Sequence, residues 1–217
     1  MRREQVPPAP GAAPGFTLIE MLVVIGILTL LMTITVIGIG RYQQSGRVAE
    51  ARTRLASLQV LVEAYADRHG DYPPSRLEHL GVEDANEVNA GIEALTAAFF
   101  SREHSGERPD GDWLINVDGD RAEDLELATG GSALNEIKDP WDNPIVYIVN
   151  GDYDREHVYR LTDVASGESE DVTVRARRNP LTETYHEFEG FQLVSAGPDG
   201  LWGSEDDLAN FEAQTDR

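Results

Sequence analysis

The sequence contains no cysteine, so it offers no disulfide, no thiolate metal site and no cysteine nucleophile in any compartment. Positive charge is scarce: 18 Lys and Arg stand against 39 Asp and Glu, for a formal net charge of −21. Such a surface repels phosphate backbones and anionic headgroups, which argues against nucleic-acid binding, and it attracts divalent cations. The five histidines, His69, His79, His104, His157 and His186, include no pair at i, i+4. Neither a Gly-x-Ser-x-Gly elbow nor a P-loop occurs. The chain therefore reads as a non-enzyme, with the proviso that a catalytic triad is spatial rather than sequential.

One long apolar run is present. Twenty consecutive residues, Met21 to Gly40, carry no charge, a length of about 30 Å as a helix and so the hydrocarbon thickness of a bilayer. Glu20 stands just before the run and Arg41 ends it. Residues 1–15, "MRREQVPPAPGAAPG", hold Arg2 and Arg3 and are otherwise rich in Pro, Ala and Gly, as expected of an extended leader. With an acidic bulk to follow, the positive-inside bias places the N-terminus in the cytoplasm and the C-terminal part outside.

A secretory signal peptide would end at a small-x-small cleavage site, but here the apolar run flows into a second helical pattern. Val48, Ala51, Leu55, Leu58, Val62 and Tyr65 are spaced three, four, three, four and three residues apart, which lines one face of a helix. The two segments read as one helix of roughly fifty residues, apolar all round at first and amphipathic later. It ends at "RHGDYPPS", where Gly70 can take a left-handed cap and Pro73 and Pro74 forbid continuation.

The stretch "GFTLIEMLVVIGIL", Gly15 to Leu28, resembles the prepilin N-terminal motif of type IV pilins and type II secretion pseudopilins. The resemblance implies that a prepilin peptidase cuts between Gly15 and Phe16 and that Phe16 is N-methylated. It also implies residues 16–40 as a transmembrane and polymerisation helix, and 41–217 as a periplasmic pilin-like domain. Glu20 has a physical reading of its own. An acid beside an apolar helix is expected to face a partner, and the new amine of Phe16 on a neighbouring subunit would be one. The alternative is a signal-anchor helix whose Glu20 snorkels to the headgroups.

Downstream, "ADRHGDYPPS" resembles the end of the long helix in major pseudopilins, and "VNAGIEALTAAFFS", Val88 to Ser101, reads as a second helix with Ile92, Leu95, Ala98 and Phe99 on one face. Residues 102–138 are acidic and loop-rich, and look like an insertion. "DPWDNPIVYIV", Asp139 to Val149, resembles a signature that opens the first sheet strand of major pseudopilins, with Asp142 in place of the usual Gly and Trp141 as a packing anchor. Strands are expected at Ile145–Val149, His157–Leu161, Val172–Arg175 and Tyr185–Val194. The fold class implied is α+β: a long N-terminal helix packed on a small antiparallel sheet.

Residues 193–211, "LVSAGPDGLWGSEDDLANF", resemble the C-terminal calcium loop of the major pseudopilin. On that resemblance Asp199 and Asp207 would bind Ca²⁺, with Asp206 able to share the role and Leu193, Ser195, Leu201 and Ser204 as weaker candidates. From composition alone the loop is a solvated acidic turn. Two other acidic stretches, "DGDRAED" from Asp118 and "NGDYDRE" from Asn150, lack the sixth-position Gly of an EF-hand loop and read as exposed loops.

The resemblance as a whole implies a subunit of the periplasmic pseudopilus of a type II secretion system, single-pass in the inner membrane before assembly. Its partners would be further copies of itself, minor pseudopilins, the prepilin peptidase and the inner-membrane assembly platform, with no nucleic acid. The alternatives are a type IV pilus or DNA-uptake pilin, and a membrane-tethered extracytoplasmic binding domain that never polymerises.

Overall fold

The computed structural model describes residues 16–82, 85–122, 125, 127 and 131–211, with the side chains of 34–42 outside that description. The leader, Gly15 included, lies outside the described residues. The chain divides into two compact units between Gln43 and Gln44.

The first helix, α1, is Leu18–His69 and contributes to both units. In the first unit, Phe16 and each Leu, Ile, Val and Met from Leu18 to Met32 are exposed, as expected where apolar residues occupy every face and no face is singled out for a core. Among the described residues no helix is long and apolar enough to cross a membrane. The uncharged run read from the sequence continues to Gly40 through side chains outside the description.

In the second unit, the three-four spacing is what packs. Ala51, Leu55, Leu58 and Val62 are buried in the main core, with Val48 and Tyr65 partly buried against it. Gly70, at φ 88°, closes the helix by donating its N–H to Ala66 O at 2.8 Å. The second helix, α2 (Ala90–Phe100), is buried from Gly91 to Phe99. It can lie this deep because Gly91 has no side chain: a Cβ there would collide with Tyr147 O and the Tyr159 hydroxyl.

Seven strands follow among the described residues: β1 (Leu114–Ile115), β2 (Glu136–Ile137), β3 (Val146–Val149), β4 (His157–Thr162), β5 (Ser169–Val174), β6 (Phe191–Ser195) and β7 (Leu208–Ala209). They form not one sheet but three small antiparallel ones, β1-β2, β3-β6-β7 and β4-β5. The α+β class stands, and the single sheet is corrected to three. The strand expected over Tyr185–Val194 begins only at Phe191, because a turn intervenes: Glu187 sits at φ 51° and its carbonyl accepts from Gly190 N–H at 2.9 Å. Residues 102–138, expected to be loop, contribute β1, β2 and the buried Leu134 and Ile137.

Trp141 is buried in the main core. Asp142, at φ 67°, occupies the left-handed region that explains why Gly would be usual there. Asp139 Oδ1 accepts from the N–H groups of Trp141 (2.9 Å) and Asn143 (3.0 Å), and its Oδ2 accepts from Ser195 Oγ at 2.6 Å. Asn143 in turn exchanges two hydrogen bonds with the Thr162 backbone, at 2.7 and 3.0 Å, tying the turn to the end of β4.

Candidate functional sites

The start of α1 is a reciprocal cap. Thr17 is the N-cap residue and Glu20 lies three positions on, the Ser/Thr-x-x-Glu spacing in which each side chain satisfies the other's backbone donor. Thr17 N–H and Oγ1 donate to Glu20 Oε2 at 2.8 and 2.7 Å, and Glu20 N–H donates to Thr17 Oγ1 at 3.3 Å. The acid also lies at the positive end of the helix dipole. Glu20 Oε1 is left without a partner among the described residues, on an exposed side chain. The spacing in "TLIE" is the signal that could have revealed this cap from the sequence.

The C-terminal loop is closed by protein groups. Asp207, whose side chain is 1% exposed, pairs through Oδ2 with the Arg177 guanidinium and accepts from Gly203 N–H at 2.9 Å. Arg177 also lies 4.8 Å over the Trp202 ring. Burial outweighs this cation and holds the Asp207 carboxyl above its ordinary range. Asp199 Oδ1 accepts from Leu201 N–H and from Ser204 Oγ, and Ser204 Oγ also bonds Asp206 Oδ1. Ser195 is committed to Asp139, and the Leu193 carbonyl accepts from Asn210 N–H at 3.0 Å. Leu201 is exposed. Gly200 is pressed so close to Thr162 O that a Cβ would collide with it. The carboxylates of Asp199, Asp206 and Asp207 do not converge on one point, and a guanidinium supplies the positive charge at the most buried of them. As they stand, these donors do not fit a calcium site.

Convergence occurs elsewhere, in a place the sequence reading passed over. One carboxylate oxygen from each of Glu93, Asp118 and Asp120 lies within 4.8 Å of the others. Glu93 comes from the buried face of α2, and the two aspartates from the "DGD" turn, whose Gly119 has φ 80°. Glu93 is fully buried, and no donor from outside the cluster reaches either of its oxygens or the buried Asp120 Oδ1; the hydrogen bond open to them is a proton shared between the Glu93 and Asp120 carboxyls. Asn86 Nδ2 donates to Oδ2 of both Asp118 (3.0 Å) and Asp120 (3.2 Å). Glu136, also buried, accepts from Asn89 Nδ2 at 2.8 Å and from Val117 N–H. Burial, reinforced by the charges of Asp120, Asp118 and Glu136, pushes Glu93 up to about 10. Burial and the neighbouring Asp118 bring Asp120 to about 7, and burial brings Glu136 to about 7.

The expectation of exposed loops is therefore corrected at two places. Asp118 and Asp120 are half-buried against Glu93. In the stretch from Asn150, Asp152 is buried and accepts from Ser75 Oγ at 2.7 Å. Both misreadings arise because an acidic string is scored by its own composition, whereas burial is decided by partners 25 to 77 residues away. The histidines, scattered in sequence, also meet once: His69 Nε2 and His104 Nδ1 are 3.1 Å apart, beside Tyr65.

The model of the prokaryotic N-terminal methylation motif matches residues 13–36. No curated protein and no solved structure matches the chain. The matched segment takes in Phe16, the Thr17–Glu20 cap and the exposed apolar part of α1. It indicates a type IV pilin-like chain processed by a prepilin peptidase.

Proposed function

We propose that the chain is a structural subunit that polymerises into the periplasmic pseudopilus of a type II protein secretion system. The observation that carries this reading is the methylation motif on a helix whose apolar side chains are exposed on every face. Such a surface needs cover, first from a bilayer and then from the helices of neighbouring subunits. The subunit would sit in the inner membrane with its N-terminus cytoplasmic and its folded part periplasmic. A prepilin peptidase would cut after Gly15 and methylate Phe16, and the assembly platform and minor pseudopilins would guide polymerisation. The role is mechanical, so no catalytic residue is assigned. A structural Ca²⁺ belongs to the same reading, because an acidic periplasmic unit without disulfides gains stability from any ion that binds only its folded state.

Glu20 is the assembly residue. Its Oε2 is held in the cap, and its free Oε1 is open to the Phe16 amine of the next subunit without loss of the cap. Two measurements test this. Mass spectrometry of membrane-extracted protein should find a chain beginning at N-methylated Phe16, and an intact leader would sink the reading. Glu20→Ala should leave membrane insertion unchanged and abolish filaments; filaments at wild-type yield would remove the charge-pairing account.

A further inference from the structure

We propose that Glu93, Asp118 and Asp120 form a binding site for one hard divalent cation, with Ca²⁺ the favoured ion. Three carboxylate oxygens from two separate elements converge within 4.8 Å. Convergence of acids alone would not make a site. The independent observation is Glu93, which is 0% exposed, directed at the two aspartates, and reached by no donor from outside the cluster. Ionised, a carboxylate in that place would lose its hydration and recover nothing, so in the ion-free chain it holds a proton and shares it with Asp120. An ion between it and the aspartates supplies what is missing, and would also engage the buried Oδ1 of Asp120.

No ion pair reaches Glu93, Asp118 or Asp120 among the described residues. Arg160, the cation whose field reaches Asp118 and Glu136, is bound to Asp171 by two hydrogen bonds of 2.7 and 2.8 Å. Asn86 bridges the outer oxygens of the two aspartates with a neutral amide, which orients them without cancelling their charge. Glu136 adds a fourth, buried carboxyl whose own oxygens are already satisfied. The donor set is all oxygen, with no His or Cys, and so selects hard ions over zinc or copper. Asp118 and Asp120 are half-exposed, which leaves room for water to complete a coordination shell of six to eight. A flexible turn with Gly119 at φ 80° suits Ca²⁺, which tolerates irregular geometry, better than Mg²⁺, which demands an octahedron. The C-terminal loop is the contrasting case, because there Arg177 already fills the cationic position.

This site deepens the reading of a structural Ca²⁺ and is independent of polymerisation, which is judged by Phe16 methylation and by filaments. The test uses the full chain in detergent, stripped with EDTA and titrated with CaCl₂ and then MgCl₂ by calorimetry and thermal melting. One Ca²⁺ should bind per chain, and Tm should rise by about 5–10 °C at a hundredfold excess over Kd. Glu93→Gln keeps the side chain's shape and should weaken Ca²⁺ binding at least tenfold, as should Asp118→Asn at a half-exposed position where folding is not at stake. Asp199→Ala/Asp206→Ala should bind as the wild type does. Absence of Ca²⁺ uptake at millimolar concentration, the result expected if the acids only share a proton, would overturn the proposal. Wild-type affinity in folded Glu93→Gln and Asp118→Asn would overturn it equally.

Discussion

The two halves of α1 draw on the same kinds of aliphatic side chain, and those side chains meet opposite fates. Between Ala51 and Val62 the leucines, valine and alanine at three-four spacing are buried, with Leu58 and Val62 0% exposed. Between Leu18 and Met32 every large apolar side chain is exposed, Leu22 by 64% and Leu28 by 58%. The difference lies in pattern. A stripe bounded by Glu50, Arg52, Arg54 and Glu63 has one apolar face, which the folded unit covers from its own α2 and strands. A helix apolar on all faces has no preferred side for a core to cover. The described side chains of the first half stay exposed, and the stripe of the second is covered by its own fold.

The sharpest way to break that comparison is a matched pair of truncations. Leu58→Ala removes a fully buried side chain from the main core and should destabilise the chain by about 2–5 kcal/mol in urea unfolding of detergent-solubilised protein. Leu28→Ala, at an exposed site, should change the same transition by less than about 0.5 kcal/mol. An equal loss at both positions would mean that the first half is also held by the folded unit.

Much of this contrast was legible in the sequence because it rests on local periodicity. The stripe from Val48 to Tyr65, the stop at Gly70, the second helix and the strand after Pro144 all depend on neighbours within a turn or two. The C-terminal loop and the Glu93 cluster were read least well, for the same physical reason. Arg177 reaches Asp207 across 30 residues and Glu93 reaches Asp118 across 25, and neither partnership leaves a periodic trace. Acid content is visible in the sequence; which acids converge is a property of tertiary packing.

A smaller effect should come from the end of the buried half, where His69 and His104 share a hydrogen bond beside Tyr65. Burial lowers the His104 pKa from its ordinary 6.5. The folded chain then resists a proton that the unfolded chain accepts. This contribution is constant above neutrality, and stability falls as the pH drops below about 6.5. Protonation of His104 would also put an N–H on the Nδ1 that faces His69 Nε2. Asp120 and Glu136, at about 7, act in the opposite sense over the same interval, since their raised values favour the folded state as pH falls. The diagnostic quantity is therefore a difference: His104→Gln should lose less stability than the wild type in thermal melts between pH 7.5 and 5.5, the window in which histidine titrates. Parallel curves would show that the pair does not sense pH.

The smallest effect belongs to the exposed half and concerns how it begins. Thr17→Ala removes the hydroxyl that accepts from Glu20 N–H and donates to Glu20 Oε2. Loss of such a cap costs about 1 kcal/mol locally. The second unit should melt unchanged, while the Glu20 amide, bonded to the lost hydroxyl, should exchange with solvent about fivefold faster, the equivalent of that energy. The consequence for assembly follows from which oxygen is bound. In the capped helix Oε2 faces back to Thr17 and Oε1 is free, so on the proposed charge pairing the side chain would be oriented before a neighbour's amine arrived. Without the hydroxyl, Glu20 keeps its charge and loses part of its orientation, so filaments should form more slowly and reach the same final yield. A Thr17→Ala chain that fails to polymerise at all would mean that Thr17 contacts the neighbouring subunit itself. Wild-type assembly kinetics would mean that the backbone bond from Thr17 N–H to Glu20, at 2.8 Å, is enough to aim the carboxylate.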